Sequence, residues 1–157
     1  MRMTEVEFAG AAGPLFEQES AKLWRSLFLH TGDREAASDA VAEAFAQLIR
    51  RGSDVKDPRA WVWRSAFRIA DRDEAARRHV AVAAETPSYE LPEAVVDLVR
   101  ALRQLPTSQR GAVVLHHMLD LPVAEVALIL GTSRSAVTVH LHRGRRRLRE
   151  ILGDEDG

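Results

Sequence analysis

Arginine supplies most of the chemistry that this sequence can offer. Of its 22 basic residues 20 are arginines, and the two lysines are Lys22 and Lys56. Guanidinium groups bind phosphates and carboxylates through paired hydrogen bonds. Six arginines fall within residues 131–153 and six more within residues 59–78, although the net charge of the whole chain is only −1. Two separate basic segments indicate two contact points on a polyanion such as a nucleic acid.

Catalytic and metal-binding patterns are absent from the sequence. The chain has no cysteine, which excludes a disulfide scaffold, a thiolate metal site and a cysteine nucleophile. It also lacks a phosphate-binding glycine-rich loop, a Gly-x-Ser-x-Gly turn and a His-Glu-x-x-His motif. His116 and His117 are adjacent, and His140 and His142 fall on different faces of a helix, so neither pair chelates well. We therefore expect no enzymatic activity, no cofactor and no metal.

The hydrophobic pattern is helical along nearly the whole chain and predicts an all-α protein. The first helix is predicted to begin at Pro14, a favourable first-turn residue, and to end at Gly32. Asp33 is the expected N-cap of a second helix with one continuous apolar stripe. The outer face of that helix carries three mutually repelling acids at intervals of four residues: Glu35, Asp39 and Glu43.

A change of pattern divides the chain into two small helical domains. A third helix is predicted from Pro58 to about Arg78, and the residues that follow lose helical periodicity and include Pro87. The pattern predicts a first domain over 1–79, a linker over 80–92 and a second domain over 93–157. In the second domain helices are expected at about 92–105, 108–119, 123–130 and 133–152.

The strongest local motif lies in the second domain. Ala127, Gly131 and Val137 have the spacing of a helix-turn-helix, in which glycine forms the turn and Ser133 can cap the second helix. The first turns of that helix would then face a DNA major groove, and the later arginines would suit phosphates. A helical hairpin used only for packing is the alternative. The residues facing away from the packed side are Arg134, Ser135, Thr138, Val139, His142, Arg143, Arg145 and Arg146.

Aromatic rings alternate with arginines in the third helix, a pattern that has two interpretations. Trp61, Trp63 and Phe67 could stack on bases of a single strand while Arg64 and Arg68 follow its phosphates. Aromatic residues on helices are more often core residues, so the pattern taken alone favours packing of these rings in the first domain.

No segment of the sequence predicts membrane insertion or export. No apolar run approaches the ~20 residues that a membrane span needs, and the first residues contain no signal-peptide pattern. We expect a cytoplasmic protein.

Three segments together resemble the extracytoplasmic-function (ECF) sigma factors of the sigma-70 family. GDREAASDAVAEAFAQLIRR (32–51) and DPRAWVWRSAFRIADRDEAARR (57–78) are similar to their first conserved domain. LRQLPTSQRGAVVLHHMLDLPVAEVALILGTSRSAVTVHLHRGRRRLREIL (102–152) is similar to their second, including Gln109-Arg110, Leu130-Gly131 and Leu141-His142-Arg143.

The resemblance implies a protein that binds core RNA polymerase and directs it to specific promoters. It implies that Asp39, Glu43 and Gln47 contact the polymerase and that the helix after Ser133 binds the −35 element. It further implies an anti-sigma protein as a partner, in addition to core polymerase and promoter DNA. For the −10 element it implies a contact by the third helix, through Trp61, Trp63, Arg64, Phe67 and Arg68.

Several positions depart from the family pattern and leave a second interpretation open. Ala42 replaces a common glutamine, Phe67-Arg68 replace Arg-Asn, and Thr138 and His140 replace Lys and Arg. Loss of basic contacts weakens DNA binding and flattens its salt dependence. The alternative is therefore a sigma-like protein, or a helix-turn-helix regulator, without full initiating activity.

Overall fold

The computed structural model describes residues 5–80 and 91–153, with side chains for 12–77 and 91–153. Within these residues all regular structure is helical and no strand occurs, as the periodicity predicts. Two short turns join the longer helices, a 3-10 turn at Gly52–Asp54 and a π-helical turn at Val114–Met118. The helices are α1 (Glu5–Thr31), α2 (Arg34–Arg51), α3 (Pro58–Val80), α4 (Glu93–Arg103), α5 (Thr107–Val113), α6 (Val123–Leu130) and α7 (Arg134–Ile151).

The first domain consists of α1, α2 and α3. Asp33 caps α2 as predicted, because its carboxylate accepts hydrogen bonds from the backbone N–H groups of Glu35 and Ala36. The prediction that α1 begins at Pro14 is wrong, since the helix begins at Glu5 and runs through Pro14. An interior proline removes one backbone donor and crowds the preceding turn, and the alanines and glutamates before Pro14 favour a helix in spite of that cost.

The second domain consists of α4 to α7. The segment predicted as one helix over 108–119 is α5 followed directly by the π-helical turn. Gly131 ends α6 in the left-handed conformation, at φ 66°, and the Ser133 hydroxyl accepts a hydrogen bond from the Ala136 N–H at the start of α7. Both features confirm the helix-turn-helix expected from the sequence.

Close packing of α7 on α5 depends on Gly144. A Cβ atom at this position would lie 2.8 Å from Cγ2 of Val113 and 3.4 Å from the backbone oxygen of Gln109. Val137, Leu141 and Leu148 extend the buried stripe of α7 on either side of Gly144. The predicted packing face of this helix is therefore confirmed.

The two domains lie against each other and share one continuous apolar core. Helix α6 packs on α3, and both α4 and the π-helical turn pack on the end of α1. Residues 81–90, most of the predicted linker, lie outside the described part of the chain, so the boundaries at 79 and 93 stay predictions.

Candidate nucleic-acid interface

Helix α7 presents a continuous polar surface opposite its packed stripe. Every residue predicted to contact the −35 element is exposed: Arg134, Ser135, Thr138, Val139, His142, Arg143, Arg145 and Arg146. Val139 leaves an apolar side chain 44% exposed among these polar groups. Such a surface can offer arginines to phosphates and short side chains to base edges in a major groove.

The arginines of α7 are almost unneutralised. Its one ion pair in the described part of the chain joins Arg146 Nε to Glu150 Oε1 at 3.8 Å, between side chains that are both more than 60% exposed. In the first turns of α7, the Thr138 hydroxyl donates a hydrogen bond to the backbone oxygen of Arg134 at 3.1 Å. The positive charge of α7 is therefore available to a polyanion.

Trp63 and Phe67 are core residues of the first domain, not DNA-facing residues. Each is 1% exposed, the Phe67 ring lies 5.1 Å from the ring of buried His30, and Trp63 Nε1 donates to Glu19 at 3.3 Å. The prediction that these two rings contact the −10 element is corrected here. Helix α3 packs inward on both α1 and α2, so it buries more of its surface than a helix with one packed face.

Trp61, Arg64 and Arg68 remain accessible on α3. Arg64 and Arg68 are exposed and Trp61 is half-buried. Trp61 and Arg64 line a cavity of about 320 Å³ beside the 3-10 turn, together with Lys56. Leu128, from α6 of the second domain, closes one side of this cavity.

Three of the arginines of α3 are held by carboxylates of the same protein. Arg59 bonds Glu19 at 2.5 Å and Glu125 at 2.6 Å, and its guanidinium also lies 5.9 Å from the centre of the Trp63 ring. The hydrogen bond with Glu125 is the largest of several effects that raise the pKa of Arg59. Three further pairs join Arg72 to Glu43, Arg72 to Asp73, and Arg77 to Asp33.

The predicted polymerase-binding face of α2 is only partly free. Asp39 is exposed, whereas Glu43 accepts hydrogen bonds from Gln47 at 3.1 Å and from Arg72 at 3.4 Å. Arg72 thus offsets part of the repulsion along the acidic face of α2. Gln47 is partly buried.

A buried charge cluster between the domains was not predicted from the sequence. Arg110 is 1% exposed and donates to Glu74 of α3 at 3.0 Å, to the backbone oxygen of His30 in α1 at 2.8 Å, and to the oxygens of Leu102 and Leu105. Because Glu74 and Arg110 are 36 residues apart, no local pattern joins them. The Gln109-Arg110 motif was the available signal, but it does not identify the carboxylate.

The electrostatics of this cluster favour the charged form of Glu74. Burial acts to raise the pKa of Glu74, but Arg103 and Arg110 outweigh it and leave that pKa lowered. Burial lowers the pKa of Arg110, and Glu74 opposes that effect. Arginine still remains protonated in proteins, so the cluster is an ionised pair.

The histidines do not assemble a metal site in the described chain. No cluster of three or more His, Cys, Asp or Glu side chains there could hold a metal ion. His116 Nδ1 is hydrogen-bonded to the backbone oxygen of Leu121 at 2.8 Å. Burial lowers the pKa of His117, and His116 and Arg145 lower it further.

None of the described helices combines the length and hydropathy that crossing a membrane requires.

Comparison with known proteins places this helix-turn-helix in a family. The family described as "Sigma-70, region 4" matches residues 96–148, which include α5, α6 and most of α7. The solved structure of the sigma factor RpoE in complex with the anti-sigma factor NepR from Bartonella quintana has a TM-score of 0.73. It covers 89% of this chain and 95% of its own at 19% identity, so this likeness shows the fold.

Relatives with named functions match both domains. The ECF RNA polymerase sigma factor BldN of Streptomyces coelicolor is 26% identical over 94% of this chain, which spans 62% of the length of BldN. The ECF RNA polymerase sigma factor SigL of Mycobacterium tuberculosis is 28% identical over 88% of this chain and 86% of its own length. The fold and the family match define a two-domain, helix-turn-helix protein with a sigma-70 region 4. The relatives add a narrower likeness: over most of its length the chain is similar to ECF RNA polymerase sigma factors.

Proposed function

We propose that this protein is a promoter-specificity subunit, which binds core RNA polymerase and directs it to initiate transcription at specific promoters. The observation that carries the proposal is the surface of α7, which presents eight exposed −35 candidates with one weak internal ion pair in the described chain. That surface stands within the segment matching sigma-70 region 4.

In this proposal the first domain supplies the −10 and polymerase contacts. Trp61, Arg64 and Arg68, which remain accessible on α3, bind the melted −10 strand. Asp39 makes the first contact with polymerase because it is exposed, and Glu43 joins it when Arg72 and Gln47 release its carboxylate.

The remaining parts of the proposal concern location and partners. A protein that works on promoter DNA with core polymerase acts in the cytoplasm, and it acts by binding and not as an enzyme. We also propose an anti-sigma protein as a partner, supported by the structural likeness to RpoE, which was solved with the anti-sigma factor NepR.

A sigma-like regulator without initiating activity is the less favoured function. A plain helix-turn-helix regulator would need only the second domain, whereas the relatives BldN and SigL match 94% and 88% of this chain and so include the first. The departures at Thr138 and His140 then concern which promoter is recognised. Thr138 is exposed and His140 is partly buried, so only Thr138 stands fully on the DNA side.

Reconstituted transcription tests the proposed function. The full chain is combined with purified core polymerase and a library of genomic promoter fragments, and the 5′ ends of transcripts are sequenced. We expect defined start sites that require the protein and share a common upstream sequence. Stable binding to core without any transcript would instead support the sigma-like alternative, and no binding to core would contradict the proposal and leave a helix-turn-helix DNA-binding regulator.

Matched variants assign the contacts. Asp39→Arg should lower core binding by about tenfold or more because it reverses an exposed charge at the interface, whereas Asp97→Arg, exposed on α4, should not. Thr138→Ala should alter the preferred −35 sequence, whereas Arg149→Ala near the end of α7 should leave that preference unchanged.

A further inference from the structure

We propose that two ion-pair clusters, both anchored on α3, hold the two domains of the free protein in a closed arrangement that obstructs the approach of a strand to its −10 surface and leaves its −35 surface open. The clusters themselves are features of this fold. Only the assignment of the obstructed surface on α3 to the −10 element rests on the proposed function.

The first cluster is buried and joins α3 to α4 and α5. Glu74 of α3 is bonded by Arg110 and by Arg103, and Thr107 donates to it at 3.4 Å. Because Arg110 also donates to the backbone oxygen of His30 in α1, one guanidinium connects two helices of the first domain to the second. A charged group buried this deeply requires its partner.

The second cluster lies at the other end of α3 and joins it to α6. Arg59 is shared between Glu19 of its own domain and Glu125 of the second, at 2.5 and 2.6 Å. Arg59 and Glu74 are fifteen residues apart, which at 1.5 Å per residue places the clusters about 22 Å apart along the helix. Attachment at two distant points fixes both the position and the rotation of the second domain.

Closure places α6 beside the accessible part of α3. Leu128 of α6 forms one wall of the cavity lined by Trp61, and a second groove of about 490 Å³ is lined by Arg64 and Arg68 of α3 and by Leu130 and Gly131 of the second domain. The Arg64 guanidinium nitrogen lies only 3.5 Å from the position that a Cβ on Gly131 would occupy. A nucleic-acid strand laid along Trp61 and Arg64 would therefore meet α6 and the turn that follows it.

The same arrangement leaves α7 uncovered. Arg134, Arg143 and Arg146 are exposed in the closed form, as are the other −35 candidates. Free protein should then bind duplex DNA through α7 while its −10 surface is blocked. Productive binding to polymerase requires the domains to separate.

Breaking the clusters should open the domains without unfolding them. After separation Arg110 keeps the backbone oxygens of Leu102 and Leu105 in its own domain, and its freed donors can reach water. In the closed form Glu74→Gln removes the anion facing a buried guanidinium, which selectively penalises closure. Glu125→Gln weakens the partly exposed second cluster.

Distance measurements between the domains test the proposal. The chain has no cysteine, so Ala21→Cys on α1 and Ala94→Cys on α4, both exposed, can carry spin labels for double electron–electron resonance on the free full-length protein. We expect one narrow distance distribution. In the Glu74→Gln, Glu125→Gln double variant we expect a broad distribution and a closed-to-open ratio lowered by about tenfold or more.

Asp73→Asn is the matched control, since it removes a neighbouring carboxylate on α3 whose described partner is Arg72 of the same helix. An unchanged distribution in the double variant would overturn the proposal, as would equal broadening by Asp73→Asn. If the double variant loses helix content by circular dichroism, Glu125→Gln alone and wild type in about 1 M salt decide the question, because screening should broaden a distribution held by the outer ion pair. None of these measurements uses polymerase, so they test domain closure independently of the proposed function. A protein whose domains open as expected but which does not bind core polymerase would contradict the proposed function alone.

Discussion

Helices α3 and α7 each carry six arginines, yet they are available to a ligand to very different degrees. On α7 a single weak pair with Glu150 consumes charge within the described chain. On α3, Arg59, Arg72 and Arg77 are bonded to carboxylates of α1, α2, α3 and α6. Local composition therefore does not decide whether a basic helix is free to bind a polyanion. The acids on neighbouring helices decide it.

The apolar side chains of the two helices make the same contrast. Helix α3 lies against α1, α2 and α6, so two of its rings, Trp63 and Phe67, are enclosed. Helix α7 packs mainly on α5 and α6 and leaves an apolar side chain, Val139, in solvent. A helix with one packed side retains a surface for recognition, whereas α3 retains only Trp61 and the two arginines that follow it on the same side.

The largest expected effect separates the two tryptophans of α3. Trp63→Ala should lower the free energy of unfolding by about 3–5 kcal/mol because it empties a core position. Trp61→Ala should lower the free energy of unfolding much less, and it should instead reduce transcription because this ring contacts the melted −10 element. Thermal unfolding monitored by circular dichroism and run-off transcription measure the two effects. A Trp63→Ala protein of normal stability would contradict the assignment of this ring to the core.

Gly144→Ala should damage the packing that presents α7. The added methyl would lie 2.8 Å from Val113, so α7 must shift at a cost of about 1–3 kcal/mol. Chemical denaturation measures this change, with Arg147→Ala as an exposed control on the same helix. Equal stability of the two variants would show that the contact relaxes without cost.

The arginines of the two helices should respond differently to salt. Arg143→Ala should weaken binding to promoter duplex and lower the slope of log affinity against log salt by about one, since it removes one phosphate contact. Arg77→Ala on α3 should leave that slope unchanged, because this guanidinium is already bonded to Asp33 at 3.0 Å. Titrations by fluorescence anisotropy at several salt concentrations make the comparison. Equal loss in both variants would remove the distinction between the helices.

The smallest expected effect is a weakening of domain closure in acid. Arg103 and Arg110 hold the pKa of Glu74 below its ordinary value of 4.5. A carboxyl with a lowered pKa stabilises the closed form fully above that ordinary value, and the stabilisation is lost as the pH falls below it. The labelled interdomain distances should therefore be unchanged above about pH 4.5 and should broaden as the pH falls below it.

Glu74→Gln should remove this pH dependence, since the amide does not titrate. A variant that broadens over the same pH range as the wild type would assign the acid sensitivity to other carboxylates. The wild-type distances must also return on neutralisation, which separates opening from irreversible unfolding.

Local features of the fold could be predicted from the sequence because short-range chemistry determines them. The Asp33 cap, the left-handed Gly131 and the buried stripe of α7 each follow from residues within one or two turns of each other. The start of α1 could not, since proline is favourable in the first turn of a helix and unfavourable inside one, yet α1 runs through Pro14.

The site was predictable on α7 and only partly on α3 for a related reason. A pattern shows which residues share a helix face, but it does not show how many neighbours that helix will have. The burial of Phe67 depends on α1, and the pairing of Glu74 with Arg110 depends on a contact across 36 residues. Such facts arise only when the domains pack together.

Binding of the free protein to the two promoter elements separately tests the central claim most directly. A duplex with the −35 element and a single strand with the −10 element, both taken from a promoter mapped by transcription, are titrated with wild type and with the Glu74→Gln, Glu125→Gln variant. We predict that wild type binds the duplex and binds the strand weakly. The variant should gain about tenfold or more for the strand with no change for the duplex. Tight binding of both elements by wild type, or no gain in a variant whose domains have opened, would contradict the account.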